Sequence, residues 1–225
     1  MNHGLAILYE DNHLVAVNKQ PGQLVQGDAT GDEPLAERVK QYLKEKYKKP
    51  GKVFLGVVHR LDRPVSGVVV FARTSKALAR MNELFRDKQT QKTYWAIVGK
   101  APSPPSGRLV HWLVKDEKKN KATAYEKEHP QGKLSELGYE LVGHQGGFFL
   151  LKVNPLTGRP HQIRVQLAVM GCPIVGDLKY GYAKPNEDGS ICLHAKSLEF
   201  AHPVTKARLL LEAGPPRAGA WALFP

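Results

Sequence analysis

The residues best suited to chemistry lie in one short loop. His59, Arg60, Asp62, Arg63 and Ser66 follow closely on one another, with Pro64 and Gly67 shaping the backbone among them. Asp62 stands between two arginines. Cations beside a carboxylate favour its charged form, and a carboxylate held that way can serve as base, nucleophile or electrostatic stabiliser. The plainer alternative is an ion pair that only ties the loop together, because structural ion pairs perturb carboxylates too. Apolar, β-branched runs flank the loop at 53–58 and 68–72. Runs of that length and composition predict buried strands, so the charged loop sits at the rim of a hydrophobic sheet.

A second basic cluster lies in the block NPLTGRPHQIRVQLAVMG, residues 154–171. Thr157-Gly158 leads into a predicted helix with Pro160 in its first turn. Ile163, Leu167 and Met170 are its apolar positions, and Gly171 is its C-terminal stop. Arg159, His161 and Arg164 then gather near the helix start, an arrangement that suits an anion. The alternative is a packed helix with surface arginines. Tyr94 falls in the strand-like run TYWAIV, where the pattern alone reads it as a core aromatic. A further helix is predicted from Asp32-Glu33-Pro34 to Pro50-Gly51, with Leu35, Val39 and Leu43 as its apolar stripe. Lys40, Lys44 and Lys48 recur at the same spacing on another face. That face is either solvated or in contact with phosphate.

The wording of these blocks adds a resemblance. HRLDRPVSG resembles the HRLDxxTSG signature of the RluA-type family of pseudouridine synthases, which isomerise selected uridines in structured RNA. The opening ILYEDNHLVAVNKQPG is similar to the family's YEDxxLVxxxKPxG. Lys92, Tyr94, Ala96, Val98 and Gly99 match KxYxAxVxG, and residues 157–165 match TGRxHQ(I/L)RV. Two positions depart from the pattern: Val65 stands where the family has Thr, and Gln166 where it has a second His. Ile174-Val175-Gly176-Asp177, Tyr180-Gly181 and Leu193-His194-Ala195 continue the likeness, which spans most of the chain in family order.

The resemblance implies a catalytic Asp62 paired with Arg164, and a Tyr94 that stacks on the target base. It also implies an Arg60 that fills the space left by the flipped nucleotide and a Leu193 that lines the uracil pocket. Stacking on an aromatic ring is worth ~1–3 kcal/mol, and a base taken out of its helix needs such a partner. His59, Arg159, His161 and the Lys40, Lys44 and Lys48 face are the remaining expected RNA-binding residues. The reaction rearranges one nucleotide without redox or an external group donor, so no cofactor and no metal are expected. The substrate class that the resemblance implies is tRNA or rRNA. The chain is expected to be a single catalytic domain, residues 1–225, without the additional N-terminal RNA-binding domain of many relatives, and to act as a monomer.

Composition fits this reading. The 225 residues carry 33 Lys+Arg against 21 Asp+Glu, a net charge of +12. So basic a surface attracts polyanions, nucleic acid first. No apolar stretch approaches the ~20 residues of a membrane helix, the start lacks the pattern of a secretory signal, and Cys172 and Cys192 have no metal-type spacing. A cytoplasmic protein is expected. One rival is a non-catalytic RNA-binding protein that kept the fold. Another is a metal-dependent hydrolase built on His59, Asp62, His161 and His194, which lack any recognised ligand spacing.

The elements that must position these residues make an α+β chain. The pattern alone predicts many strands and about three helices; the resemblance implies a mixed, largely antiparallel sheet flanked by a few helices, with a basic cleft and the 59–67 loop in its floor. Two hairpins are predicted, one polar and lysine-rich over 115–133, one turning at His144-Gln145-Gly146-Gly147. The proline-rich segment 102–106 is either a loop or a boundary between sub-lobes.

Overall fold

The structure, a computed structural model, describes residues 4–27 and 31–224. Its described elements are eleven strands and three α-helices, with two short 3-10 turns. They form two compact units, one made of residues 1–91 and 195–214, the other of residues 92–194 and 215–225. The segment 102–106 lies inside the second unit. No helix among the described residues is long and apolar enough to cross a membrane.

In the first unit, β2 (Leu14–Lys19) lies between β1 (Ile7–Glu10) and β4 (Ser66–Ala72), antiparallel to both. All seven residues of β4 are buried, which is why it reads as a continuous apolar run and not as an alternation. β3 pairs with the far end of β4 over Gly56–Val57 only, although the apolar run predicts a strand over 53–58. At the start of β3, β4 offers no partner beyond Ala72, opposite Gly56, and the stop after Val57 has a local cause. The His59 imidazole takes the Val70 N–H at 3.1 Å, so a side chain replaces the backbone where the ladder would continue. β10 (Leu193–Ala201) and β11 (Arg208–Glu212) close the unit as an antiparallel hairpin over 197–212.

Helix α1 (Leu35–Lys46) buries Leu35, Ala36, Val39 and Leu43, the predicted stripe. It ends earlier than Pro50-Gly51 predicts, at Tyr47, and Lys48 already has a left-handed φ of 48°. Lys48 therefore does not continue the Lys40 and Lys44 face, a correction to the spacing argument. The Glu10 carboxylate anchors the end of the helix, accepting from Tyr42, Tyr47 and Lys46 at 2.9, 2.6 and 2.8 Å. Helix α2 (Ser75–Arg86) is capped by Thr74, whose hydroxyl accepts from the Ala77 N–H at 3.1 Å. Its Ala77 and Met81 pack on Leu14, Val68 and Val70.

The second unit is an antiparallel sheet in the order β5-β9-β8-β6-β7, formed by β5 (Gln91–Val98), β6 (Ser106–Asp116), β7 (Lys121–Tyr125), β8 (Lys133–Gln145) and β9 (Phe148–Pro155). Gly146 and Gly147 turn from β8 to β9 with φ of 60° and 76°, the pair of left-handed residues that a tight hairpin with native twist requires. Helix α3 (Gln162–Val169) starts later than the sequence predicts, because His161 takes a left-handed φ of 55° directly before it. It is also not amphipathic. Gln162, Arg164 and Gln166 are buried along with Ile163, Val165 and Leu167, and each makes side-chain hydrogen bonds, although the Gln166 Oε1 has no partner. The Gln166 amide donates to the carbonyls of Leu109 and Ser135 at 3.2 Å and lies 3.0 Å from the His111 ring. Gly171 ends the helix with φ of 84°.

Candidate active site

In the first unit the loop from His59 to Gly67 is held from beneath. Lys19, the last residue of β2, is fully buried. Its ammonium donates to the carbonyls of Gln20, Arg63 and Val65 at 3.1, 3.1 and 2.5 Å. The Val65 N–H closes a tight turn onto the Asp62 carbonyl at 3.0 Å, and the Gly22 N–H donates to Arg63 at 2.9 Å. The backbone on the C-terminal side of Asp62 is thus tied at three successive points. Burial pulls Lys19 down to about 7, opposed by the negative charge of Asp62 and reinforced by the positive charge of Arg63.

Val65 departs from the family's threonine, and the geometry explains why the loop tolerates it. The bonds at this position come from the backbone, and the side chain is 2% exposed in an apolar setting. Gly67 is required by space and by conformation. Its φ is 119°, and a Cβ there would lie 2.3 Å from the Ala195 carbonyl oxygen of β10. Asp62 is half-buried, and Arg60 is exposed. Arg63 reaches away to Asp32 at 2.7 Å. The His59 ring stacks on Phe85 with centroids 5.1 Å apart while accepting from Val70. Its observed contacts shape the entry to the loop.

In the second unit the centre is Arg164, 5% exposed. Asp177, 1% exposed, grips it with two oxygens: Nε donates at 2.7 Å and Nη2 at 2.9 Å. Forked pairing of this kind fixes the guanidinium plane as well as its position. The same guanidinium lies 5.1 Å from the centre of the Tyr180 ring. Tyr180 in turn joins three elements. Its hydroxyl accepts from the Ala122 N–H of β7 at 2.8 Å and lies 2.8 Å from Nδ1 of His161 at the start of α3.

Tyr94 lies half-buried on β5, opposite Val153 of β9. Leu193 opens β10 and is buried. Arg159 is exposed; its N–H groups contact Gln162 and, weakly, the Leu134 carbonyl. Lys40 pairs with Glu37 on α1 at 2.7 Å, and Lys44 and Lys48 are exposed. Sequence reasoning missed the roles of three residues, Lys19, Asp177 and Tyr180. Lys19 reads as the start of the turn signal KQPG, and a buried lysine gives no pattern in a single sequence. Asp177 and Tyr180 fall within the resemblance, but nothing in the residues joins them to Arg164. The fold does so by turning back at Gly176, with φ of 85°.

Comparison with known proteins identifies the family. The family model for RNA pseudouridylate synthases matches residues 13–169. Ribosomal large subunit pseudouridine synthase C of Vibrio cholerae is 31% identical over 219 residues, which cover 92% of this chain and 64% of the relative. The chain thus spans a little under two thirds of that relative's length. The tRNA pseudouridine synthase C of Vibrio cholerae is 33% identical over 228 residues, covering 93% of this chain and 91% of the relative. Among solved structures, human RNA pseudouridylate synthase domain containing 4 superposes with a TM-score of 0.78 at 26% identity, covering 94% of this chain and 89% of that one. The chain belongs to the RNA pseudouridylate synthase family, in its RluA-type branch.

Proposed function

We propose that this protein isomerises a specific uridine of a structured RNA, tRNA or rRNA, to pseudouridine, with Asp62 as the catalytic carboxylate. In that reaction the N1–C1′ bond breaks, the uracil turns, and a C5–C1′ bond forms. The proton on C5 leaves and N1 regains one, so atoms and electrons balance within a single nucleotide, and the protein needs no cofactor or metal. What it must supply is orientation, a misplacement of ~1 Å costing about a hundredfold in rate.

The observation that carries this reading is family membership together with Asp62 at the motif position, on a loop tied down through its backbone. Tyr94 stacks on the everted base, Arg164 serves as the counter-charge of Asp62, Arg60 fills the gap in the RNA helix, and Leu193 lines the uracil pocket. Arg159, His161, Lys40, Lys44 and Lys48 attract the backbone. The protein works as a cytoplasmic monomer. Names of relatives support both RNA classes, one ribosomal and one transfer RNA. Mapping pseudouridines in total RNA from cells with the gene, without it, and with an Asp62→Asn copy tests the reading. A position modified only with the wild-type gene is expected. No gene-dependent position would overturn it and favour a protein that binds RNA without modifying it.

A further inference from the structure

A small core of the second unit borders a pocket. Leu113, Ala122, Val165 and Tyr180 pack together where α3 meets β6 and β7. The strand register sets Lys115 opposite Ala122 and Lys133 opposite Leu113, and opposed residues share a face of the sheet. The face that carries this core therefore also carries two lysines. Together with Arg159, just before α3, they line a pocket of about 260 Å³ to which Leu113 and Ala122 lend apolar surface. Its wall is braced. The Tyr180 hydroxyl accepts from the Ala122 N–H at 2.8 Å and lies 2.8 Å from Nδ1 of His161, which ties β7 to the start of α3.

Charge and shape select a ligand for it. Lys115 is already paired with Glu117 at 2.6 Å. Lys133 and Arg159 form no ion pair among the described residues, and the Arg159 guanidinium has only a long contact, 3.5 Å to the Leu134 carbonyl. Unmatched cations at a concave, partly apolar site attract an anion that also carries an apolar body. Gln131 adds a side-chain amide to the lining, donor and acceptor at once. An unpaired RNA nucleotide offers the matching set: a phosphate for the cations, a flat base for the apolar surface, and a base edge for the amide. Bases within a duplex keep their faces stacked, so RNA is read through its unstacked nucleotides.

We propose that this pocket receives one unpaired nucleotide of the substrate RNA, distinct from the uridine that is isomerised, with Lys133 and Arg159 meeting its phosphate and Leu113, Ala122 and Gln131 its base. Tyr94 and Leu193, assigned above to the target uracil, are not among the lining residues. The inference rests on the functional reading above for the identity of the RNA. The pocket adds affinity and sequence context, while the chemistry stays with Asp62.

The test uses the full chain and an RNA that it modifies. Lys133→Ala removes a phosphate contact, and Gln131→Trp fills the pocket without changing charge. Dissociation constants are measured over a series of salt concentrations, with kcat, KM and thermal melting in parallel. Lys133→Ala should bind severalfold more weakly, with a salt slope lower by about one. Gln131→Trp should also bind severalfold more weakly, at the wild-type slope. Both losses should fall on KM more than on kcat, because the contact is the same in the ground and transition states. Wild-type affinity in Gln131→Trp overturns the inference, since the surface then attracts RNA without seating a nucleotide. An unchanged slope in Lys133→Ala overturns it as well. Should Gln131→Trp not fold, acetylation of Lys133 in the wild type decides. Bound RNA should slow it severalfold, and equal rates with and without RNA overturn the inference. If the wild type forms pseudouridine in no RNA, the functional reading falls, and the same binding measurements on an RNA that it retains still decide the pocket.

Discussion

The two units of the chain hold a buried cation in different ways. In the first unit Lys19 is met by neutral carbonyls. In the second, Arg164 is met by the Asp177 carboxylate and a tyrosine face. An arginine does not lose its proton in proteins, and its fork suits a carboxylate. A lysine shifts readily when buried. Burial pulls the lysine down to about 7, whereas the arginine stays charged. The two ion sites also hold different things: Lys19 holds backbone carbonyls of the loop that carries Asp62, while Asp177 holds the Arg164 side chain directly.

The sharpest way to break this comparison is to remove Asp177. Asp177→Ala leaves a buried guanidinium without its partner and should cost about 3–5 kcal/mol of stability, read by denaturant unfolding. Replacing both partners, Arg164→Met with Asp177→Leu, should recover most of that loss while leaving uridine isomerisation abolished. A double variant as unstable as Asp177→Ala would mean that the pair contributes packing of its own. Next in size is Tyr180→Phe, which keeps the ring under Arg164 but leaves the Ala122 N–H and His161 Nδ1 without the hydroxyl. An unsatisfied buried group costs about 1–3 kcal/mol, and the melt should show it. The smallest effect belongs outside both clamps. Lys40→Ala with Lys44→Ala should leave stability within about 0.5 kcal/mol and lower the salt slope of RNA affinity by at most about two. An unchanged slope would take α1 out of the RNA footprint.

How much of this was legible in the sequence differs between the two halves. The 68–72 apolar run, the α1 stripe, the Gly146-Gly147 turn and the Gly171 stop follow from local chemistry, and the structure carries each of them. Boundaries failed where a side chain or a single backbone angle overrode the periodicity. His59 ended β3 by bonding Val70, His161 delayed α3, and Lys48 fell beyond α1. Helix α3 failed differently. A stripe was expected, yet its polar residues are buried too, and that depends on the carbonyls of β6 and β8 arriving from elsewhere in the chain.

The residues proposed to carry the chemistry, Asp62, Tyr94 and Arg164, could be picked out because their blocks match the family's pattern. The residues that orient them could not. Asp177 lies 13 positions from Arg164 and Lys19 lies 44 positions from Arg63, so only the fold makes either pair neighbours.

The central claim is that the Asp62 carboxylate performs the isomerisation. The direct measurement is single-turnover pseudouridine formation by purified wild type and Asp62→Asn on the same RNA, with RNA affinity and thermal melting measured in parallel. The account predicts no detectable product from Asp62→Asn, with affinity and melting close to wild type. Product formed by Asp62→Asn at the wild-type rate would contradict it.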